Sequence, residues 1–221
     1  NYKILQLRAE IKGMNPKRLT HRQVQLLNRL SKTYKIKATD PVKQIDLLLH
    51  KVGIIPEAMV LAQAANESAW GTSRFAIQGN NLFGQWCFSL GCGLVPSGRP
   101  DGATYEVLRF KDPQASVDAY MRNLNRHYRY ANLRDIRTCI TSENETVTAR
   151  ALSAGLIGYS TRGEDYINEI RSMIRVNKLE AWQQSWWGNS NQHPCSKLVN
   201  FERPKAATEN PVQDITQSSN N

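Results

Sequence analysis

One carboxylic acid, Glu67, stands out because it follows a segment that is almost entirely apolar. Residues 58–65 contain a single polar side chain, Gln63, while Pro56 and Gly71 fit the start and the end of a helix. A helix that is apolar on every face is a buried one. The pattern therefore predicts a central, buried helix with Glu67 near its C-terminal end.

Burial would change the acidity of Glu67. Desolvation beside Trp70 and Phe83 and the negative end of the helix dipole would both favour the neutral carboxyl. A carboxyl group that stays protonated near neutral pH is the general acid that glycoside hydrolysis needs. An exposed Glu at the helix end, or one paired with Arg74, would explain the same position without any chemistry, and residue type alone leaves that interpretation open.

The elements that would position Glu67 are mostly helices. Apolar spacing predicts helices between residues 16 and 34, after Asp40-Pro41, over 115–128, near 144–154 and over 164–177. Residues 80–110 are rich in Gly and Pro, and within them segments 93–95 and 104–110 are predicted to pair as a hairpin across a turn at 96–102. The tail from about residue 203 has no apolar repeat, so we expect it to be disordered.

Composition narrows the partners. The chain has 221 residues, enough for one core or one core plus a small lobe, and 29 Lys and Arg against 19 Asp and Glu give a net charge of +10. This charge favours a polyanion: nucleic acid, an acidic membrane surface, or a wall polymer with carboxylates. The basic residues are scattered and match no nucleic-acid module, so we expect no nucleic-acid partner. No apolar run approaches the roughly 18 residues of a membrane span.

The four cysteines suggest a local crosslink but no metal. Cys87 and Cys92 lie five positions apart in a Gly-rich segment, which suits a disulfide in an oxidising compartment or, equally, two free thiols. Zinc is disfavoured because there is no second close Cys pair and the four His have no ligand spacing. We therefore expect no metal and no cofactor. The chain begins at Asn1 without Met, and we expect any signal peptide to have been removed.

Three ordered motifs closely resemble glycoside hydrolase family 73. The first is Ala62-Gln-Ala-Ala-Asn-Glu-Ser-Ala-Trp-Gly-Thr-Ser-Arg-Phe75, and Asn80-Asn-Leu-Phe-Gly84 follows it. The third, Gly158 to Ile170, is similar to the closing motif of the family, in which a Tyr, a short polar turn and a second Tyr lead into a helix. The segment from Trp86 to Pro96 resembles the Bax-like bacterial branch. The resemblance covers about residues 58–179.

This resemblance implies a fold and a domain layout. Family members have a lysozyme-like helical domain, so we expect a mainly α fold with a small β-hairpin lobe that flanks a substrate groove. Residues 1–55 would form N-terminal helices that pack on the catalytic domain. Residues 56–185 would form the glucosaminidase domain, with the hairpin lobe near 85–110, and residues 186–221 a C-terminal extension. The Trp186-Trp187 pair lies outside the matched motifs and receives no role.

Transferred residue by residue, the resemblance makes Glu67 the catalytic acid and places Tyr159 and Tyr166 against the reacting sugar, Tyr159 with a role in catalysis. The candidate substrate-binding residues are Asn80, Asn81, Phe83, Trp70, Trp86, Asp101 and Tyr166. Simpler explanations exist for several of them: the Asn pair could cap a turn, and the aromatic rings could belong to the core. The resemblance also implies that the Cys87–Cys92 disulfide pins the hairpin lobe beside the groove.

A second catalytic carboxylate is where the resemblance is weakest. The local candidates are Asp101 and Glu106. Alternation along a strand over 104–110 puts Glu106 on the same face as Phe110, towards the helical core, whereas turn chemistry alone explains Asp101. We therefore expect Glu106 to be the second carboxylate, with an ion pair to Arg109 or to another arginine at the groove rim as the alternative.

The predicted function is hydrolysis of peptidoglycan at the β-1,4 bond between N-acetylglucosamine and N-acetylmuramic acid, on the reducing side of N-acetylglucosamine. The partner would be the glycan strand, the protein a monomer, and the location the cell envelope, in the periplasm, as for an autolysin. A muramidase or a lytic transglycosylase on the same fold is an alternative, and a transglycosylase also uses one Glu but leaves a 1,6-anhydro product. A non-catalytic wall-binding module is a further alternative, against which the retention of Glu67 argues.

Overall fold

The structure is a computed structural model that describes residues 1–180 together with Cys195 and Leu198. The predicted mainly α fold with a small β lobe is confirmed. In the described residues the helices are α1 (Tyr2–Lys12), α2 (His21–Thr33), α3 (Pro41–Lys51), α4 (Glu57–Glu67), α5 (Arg74–Gly79), α6 (Pro113–Arg126), α7 (Ala131–Ser142), α8 (Ala149–Leu152) and α9 (Glu164–Val176). The strands are β1 (Trp86–Cys87), β2 (Gly93–Leu94) and β3 (Glu106–Leu108).

Local capping explains where several helices begin. The side chain of Thr20 accepts the N–H of Gln23, whose side chain accepts the N–H of Thr20, so a reciprocal capping box starts α2. Asp40 caps α3 and Asp112 caps α6, and in both cases a proline follows at the first helical position. These signals place the predicted helices close to their observed limits.

Two helix predictions need correction. The helix predicted near 144–154 is only the short α8, followed by a 3-10 turn at Ser153–Leu156. Helices α1, α5 and α7 were not predicted. In α7 the apolar positions Leu133, Ile136 and Ile140 do repeat at helical spacing, but the buried Arg134 and Arg137 between them disguise the pattern.

The β lobe is a three-stranded antiparallel sheet with β3 in its centre. Gly93 pairs with Leu108, so the predicted hairpin between β2 and β3 is confirmed, although β3 is shorter than expected. The third strand, β1, was not predicted, and it pairs with β3 through Trp86 and Val107. A β-carbon at Gly93 would lie 1.9 Å from the carbonyl oxygen of Val107, so only glycine permits this close pairing.

The core has two parts. A smaller cluster of buried side chains, between Ile11 and Val52, packs α1, α2 and α3 together. The larger cluster begins at Ile55 and joins α4, α6, α7, α8 and α9. Tyr120, Tyr130 and Tyr166 are among its largest fully buried side chains. Because α4 and α9 pack directly on each other, the motif around Glu67 and the closing Tyr motif meet in this cluster.

A buried arginine fastens the N-terminal helices to the larger core. Arg137 donates to the carbonyl oxygens of His50 (3.1 Å) and Lys51 (2.9 Å) at the end of α3, and to the side chain of Asn125 (2.6 Å). Desolvation lowers the pKa of Arg137 to about 9. The guanidinium lies against Gly53, where no β-carbon would fit. The end of α3 therefore holds a fixed position relative to α7.

The C-terminal extension is described at two positions only. A disulfide joins Cys195 to Cys139 of α7, and Leu198 packs against the larger cluster. The predicted disorder beyond residue 203 and the Trp186-Trp187 pair lie outside the described residues. Within residues 1–180, no helix has the length and apolar character needed to cross a membrane.

Candidate active site

Glu67 is the last residue of α4, and a sharp turn follows it. The hydroxyl of Ser68 donates to the carbonyl of Ala64 (2.6 Å) and accepts the N–H of Gly71 (2.7 Å), which closes the helix end. Ala69 and Trp70 both have positive φ angles, +50° and +59°. Backbone of this kind is strained for residues other than glycine and occurs often at functional sites. The strain follows directly after the carboxylic acid.

The helix α4 is not buried on every face, which corrects the sequence prediction. Ala58, Met59, Ala62 and Gln63 are buried, but Leu61 is 58% exposed. Leu61 lines an apolar cavity of about 320 Å³ with Trp70 and Met173. Residues 61 and 65 lie on the helix face opposite residues 63 and 67, so this cavity is on the other side of α4 from Glu67.

A chain of buried hydrogen bonds leads to Glu67. Tyr166 at the start of α9 donates its hydroxyl proton to Oε1 of Glu67 at 2.7 Å. The Tyr166 oxygen accepts Nε2 of Gln63 at 2.8 Å. Oε1 of Gln63 in turn accepts the hydroxyl of Tyr120 in α6. Because Gln63 donates to the Tyr166 oxygen, the single proton of Tyr166 cannot point at Gln63 and is directed towards the carboxyl group.

Burial raises the pKa of Glu67 above the usual value for glutamic acid. The hydrogen bonds from Tyr166 and Asn66 and the charge of Arg162 oppose this increase, while the charge of Glu169 adds to it. The neutral acid is compatible with the hydrogen bond from Tyr166, because one oxygen accepts this bond and the other can carry the proton. Glu67 therefore has the environment of a proton donor.

The tyrosines around Glu67 keep their protons. Burial raises the pKa of Tyr166 and of Tyr159 well above the usual value for tyrosine. The ring of Tyr159 stacks on that of Tyr166 with 5.3 Å between centroids and meets the edge of Tyr120 at 6.5 Å. The Tyr159 hydroxyl is buried and has no hydrogen-bond partner among the described residues. It is a donor that the described protein does not use.

Arg162 covers the outer side of this cluster. Its guanidinium lies over the Tyr166 ring, 5.5 Å from the centroid, and pairs with Glu169 one turn along α9. The ion pair holds the cation beside the carboxyl group of Glu67 without placing it in direct contact. Arg162 belongs to the polar turn of the closing motif, so that turn contributes a cation to the cluster.

The contacts of Glu106 favour a structural role over the predicted catalytic one. Its two carboxylate oxygens accept the backbone N–H groups of Gly91 (2.9 Å) and Gly93 (2.7 Å). These hydrogen bonds lower the pKa of Glu106. A carboxylate already engaged by two N–H groups is a weaker base for activating water. The catalytic role of Glu106 stays a prediction, and the alternative ion pair with Arg109 is not observed among the described residues.

The predicted disulfide between Cys87 and Cys92 is present. It closes the same loop that Glu106 holds through Gly91 and Gly93, so one covalent and two hydrogen bonds fix the lobe. The described side chains bring Glu106 near both sulfurs, a set that could in principle hold a metal ion. Disulfide sulfurs are not thiolates, so this group is not suited to binding a metal.

Asn80 and Asn81 hold the loop between α5 and the β lobe. Asn80 ends α5 in the left-handed conformation (φ +51°) and donates to the carbonyl of Phe110 at 3.1 Å. Asn81 is buried, and it donates to the carbonyls of Gln85 and Leu108, both at 2.8 Å, while its oxygen accepts the N–H of Gln85 at 3.0 Å. These contacts match the turn-capping explanation rather than substrate binding.

The remaining candidates make no hydrogen bond to Glu67 within the described residues, although Phe83 packs on a tyrosine of the hydrogen-bond chain. Phe83 is 2% exposed and stacks on Tyr120 at 4.0 Å, so it belongs to the core rather than to an open groove. Trp70 is 68% exposed at the end of α4. Trp86 stacks on Tyr105 at 4.2 Å within the β lobe. Asp101 is exposed in the turn before β3. Of the predicted site residues, the structure thus brings Glu67, Tyr159 and Tyr166 together.

Two residues of the site were missed as functional candidates, Gln63 and Tyr120. A signal for Gln63 was present, since it is the one polar side chain in an apolar helix and stands four residues before Glu67, on the same face. Nothing in the sequence marked Tyr120, because its contact with Gln63 spans 57 positions.

Comparison with known proteins assigns the family. The sequence model of a glucosaminidase family, described as mannosyl-glycoprotein endo-beta-N-acetylglucosaminidase, matches residues 42–179. The chain belongs to the glucosaminidase family. It is also similar to Protein bax of Escherichia coli (strain K12), with 38% identity over 154 residues, which are 69% of this chain and 54% of that protein. The match thus spans about half of the relative. No solved structure matches the chain significantly.

The glucosaminidase assignment agrees with the geometry. Gln63, Glu67, Tyr120, Tyr159 and Tyr166 all lie within the matched residues 42–179. The assignment agrees with the resemblance to glycoside hydrolase family 73 that the sequence motifs carry. The helices α1 and α2 precede the matched region.

Proposed function

We propose that this glucosaminidase cleaves the β-1,4 bond between N-acetylglucosamine and N-acetylmuramic acid in peptidoglycan, acting within the strand. Glu67 is the general acid. The observation that carries the proposal is the environment of its carboxyl group, which is desolvated at the end of α4 and accepts a hydrogen bond from Tyr166. A carboxyl group whose pKa is raised keeps its proton to higher pH and can act as a general acid there.

In the proposed reaction Glu67 transfers its proton to the glycosidic oxygen as the bond from that oxygen to the anomeric carbon breaks. The leaving group is the N-acetylmuramic acid end of the strand. Loss of the proton makes Glu67 an anion, and the hydrogen bond from Tyr166 stabilises that anion. Gln63 keeps the Tyr166 proton pointing at the carboxylate during this change. A role for Tyr159 as a donor to the substrate requires that substrate binding expose its hydroxyl, which is buried in this structure.

The proposal does not depend on Glu106. Since both of its oxygens accept backbone N–H groups, we propose that the acetamido oxygen of the N-acetylglucosamine unit attacks the anomeric carbon instead. A cyclic oxazolinium forms as the glycosidic bond breaks. Water then adds to the anomeric carbon, and ionised Glu67 accepts the proton of this water. The acid is thereby restored for the next turnover.

A lytic transglycosylase is the second candidate, and the same contacts of Glu106 favour it. Such an enzyme works with one Glu and needs no second carboxylate, because the C6 hydroxyl of the substrate attacks the anomeric carbon. A muramidase would cut the same bond as the transglycosylase but with water. A non-catalytic wall-binding module is disfavoured, because it would have no use for a buried hydrogen-bond chain directed at one carboxyl group.

The products distinguish these reactions. Purified peptidoglycan digested with the protein should yield fragments with N-acetylglucosamine at the new reducing end, identified by mass spectrometry after borohydride reduction. Fragments ending in N-acetylmuramic acid would contradict the bond assignment and indicate a muramidase. Fragments that lack one water and resist reduction would indicate a transglycosylase.

We also propose a cell-envelope location, in the periplasm, for the protein. Support comes from the disulfides Cys87–Cys92 and Cys139–Cys195, which persist in oxidising compartments. The substrate itself is found in the envelope. The protein would act as a monomer on glycan strands, without a nucleic-acid partner.

A further inference from the structure

A second concave site lies between the β lobe, α6 and the end of α2. It is a cavity of about 350 Å³, a volume that suits a small ligand. Its lining combines the cations Lys35, Arg122 and Arg126 with the rings of Trp86, Phe110 and His127. None of these residues belongs to the hydrogen-bond chain at Glu67.

The cations of this cavity lack carboxylate partners. None of Lys35, Arg122 and Arg126 takes part in an ion pair among the described residues. Burial lowers the pKa of His127, and the neighbouring cations Arg129 and Lys35 lower it further. The cavity therefore has a positive electrostatic potential. The cations repel one another, and a bound anion would relieve this repulsion.

Two buried N–H donors at the cavity also lack acceptors. Nε of Arg126 and Nε1 of Trp86 are inaccessible to solvent and have no hydrogen-bond partner within the part of the chain that the structure describes. A buried donor without an acceptor destabilises the folded state. Both residues line the same cavity, so the oxygens of one ligand could accept from both once the side chains shift to expose these N–H groups. This observation is independent of the net charge of the cavity.

We propose that this cavity binds a carboxylate group carried by the peptide stems of peptidoglycan. This inference rests on the proposed function and adds a second point of contact with the same substrate. Lys35, Arg122 and Arg126 balance the charge of the carboxylate, and Arg126 and Trp86 donate to its oxygens after their side chains shift to expose the two N–H groups. The apolar surfaces of Trp86, Leu108 and Phe110 suit a ligand that has a hydrocarbon body behind its anionic end, such as an amino acid residue, better than inorganic phosphate.

Lys35 brings the N-terminal helices into the binding site. It follows α2 in the left-handed conformation (φ +51°), outside the residues matched by the glucosaminidase family. Because Lys35 lines the cavity, the segment before residue 42 contributes to substrate recognition. The N-terminal helices would then do more than pack on the catalytic domain.

The test measures binding without turnover, in the full chain with Glu67→Gln. The probe is N-acetyl-alanyl-glutamate, which carries two carboxylates, and its diamide is the neutral comparison. Calorimetry at low salt should show that the diamide binds at least about tenfold more weakly than the acid. Arg126→Gln and Arg122→Gln should each weaken binding of the acid by about tenfold. Arg22→Gln, an exposed change of equal charge on α2, should leave it unchanged.

Arg122 is exposed, so its variant should fold normally, and Arg126→Lys should retain part of the affinity if Arg126→Gln is unstable. Equal binding of the acid and its diamide would overturn the proposal. So would displacement of the acid by an equal concentration of inorganic phosphate, which would show recognition of a bare anion. This assay does not require glycan cleavage, so its failure is distinct from failure of the proposed function.

A kinetic comparison extends the test to the polymer. Arg126→Gln should raise KM on intact peptidoglycan about tenfold and leave KM unchanged on glycan strands from which the peptides have been removed. The value of kcat should be similar on both substrates, because Arg126 contacts neither Glu67 nor its tyrosines. An equal loss on both substrates would contradict a role in recognising the peptide stem.

Discussion

Tyr166 donates its hydroxyl proton to Glu67 over 2.7 Å, although 99 positions separate the two residues in the sequence. The bond exists because α9 packs on α4, so that the start of one helix meets the end of the other. Gln63 fixes its direction from behind. The carboxyl group is thus both desolvated and oriented, the two requirements of a general acid.

Replacing Tyr166 by Phe should reduce kcat/KM by about tenfold to a hundredfold, less than loss of the acid itself. The hydrogen bond lowers the pKa of Glu67, so its removal should raise that pKa and move the high-pH decline of activity to higher pH. The measurement is the pH profile of kcat/KM. A reduced rate with an unshifted profile would contradict this account of Tyr166.

Tyr159→Phe is the matched comparison for that variant. Its hydroxyl has no partner among the described residues, so removal should leave stability unchanged or slightly increased. If this hydroxyl donates to the substrate, the rate should nevertheless fall substantially, with no change in the pH profile. A fully active Tyr159→Phe enzyme would make Tyr159 a core residue only.

Gln63→Leu should lower the free energy of unfolding by more than the similar volumes of the two side chains suggest. The change leaves the buried hydroxyl of Tyr120 without its acceptor, a loss that costs about 1–3 kcal/mol, and it removes the donor to the Tyr166 oxygen, whose hydroxyl still donates to Glu67. It also frees the Tyr166 proton to turn away from Glu67, so the remaining folded enzyme should be slower. Denaturant unfolding and kcat provide the two measurements. The control is Gln78→Leu on the exposed side of α5, which should change neither.

The sequence predicted those parts of the site that depend on residues close together in the chain, and not those that depend on residues far apart. Helix α4, the place of Glu67 near its C-terminal end and the pairing of segments 93–95 and 104–110 follow from local patterns of apolar residues, Gly and Pro, whereas the register of the strands does not. The contacts of Glu106 do not, because strand alternation predicts a face and cannot say which groups meet it there. The bond between Gln63 and Tyr166 spans 103 positions, and only helix packing determines it.

Glu106→Gln tests whether Glu106 is a base or an anchor. The amide keeps one acceptor and turns an NH₂ group towards a backbone N–H, so the melting temperature should fall. The hydrogen bonds lower the pKa of Glu106, so its contribution to stability is present above the usual pKa of Glu and disappears as pH falls through the lowered value.

Turnover of Glu106→Gln should decrease without a change in the shape of the pH profile, while Asp101→Asn in the exposed turn should have little effect. Loss of the low-pH decline of activity in the Glu106 variant would instead identify Glu106 as the catalytic base. A larger effect of Asp101→Asn than of Glu106→Gln would contradict both roles.

The two disulfides should differ in their contribution to stability. Cys139 and Cys195 are 56 positions apart, whereas Cys87 and Cys92 are five apart. Loop-closure entropy then gives about 4 kcal/mol for the longer loop and about 2 kcal/mol for the shorter one. Paired Cys→Ser variants measured by denaturant unfolding should follow this order. Relative to the stability that each variant loses, the Cys87 and Cys92 variant should lose more activity than the Cys139 and Cys195 variant. The reason is that its disulfide holds the β lobe, which we expect to flank the substrate groove.

The most direct test of the central claim is the rate of peptidoglycan digestion by Glu67→Gln. The amide cannot donate the required proton, so turnover should fall by at least about 10²–10⁴-fold. Burial raises the pKa of Glu67, so ionisation of the wild-type group opposes folding as pH rises, and the variant should gain stability relative to wild type as pH rises from the usual pKa of Glu through the raised one. Glu57→Gln, at the exposed start of the same helix, is the control and should remain active. A folded Glu67→Gln protein that digests peptidoglycan at nearly the wild-type rate would contradict the account.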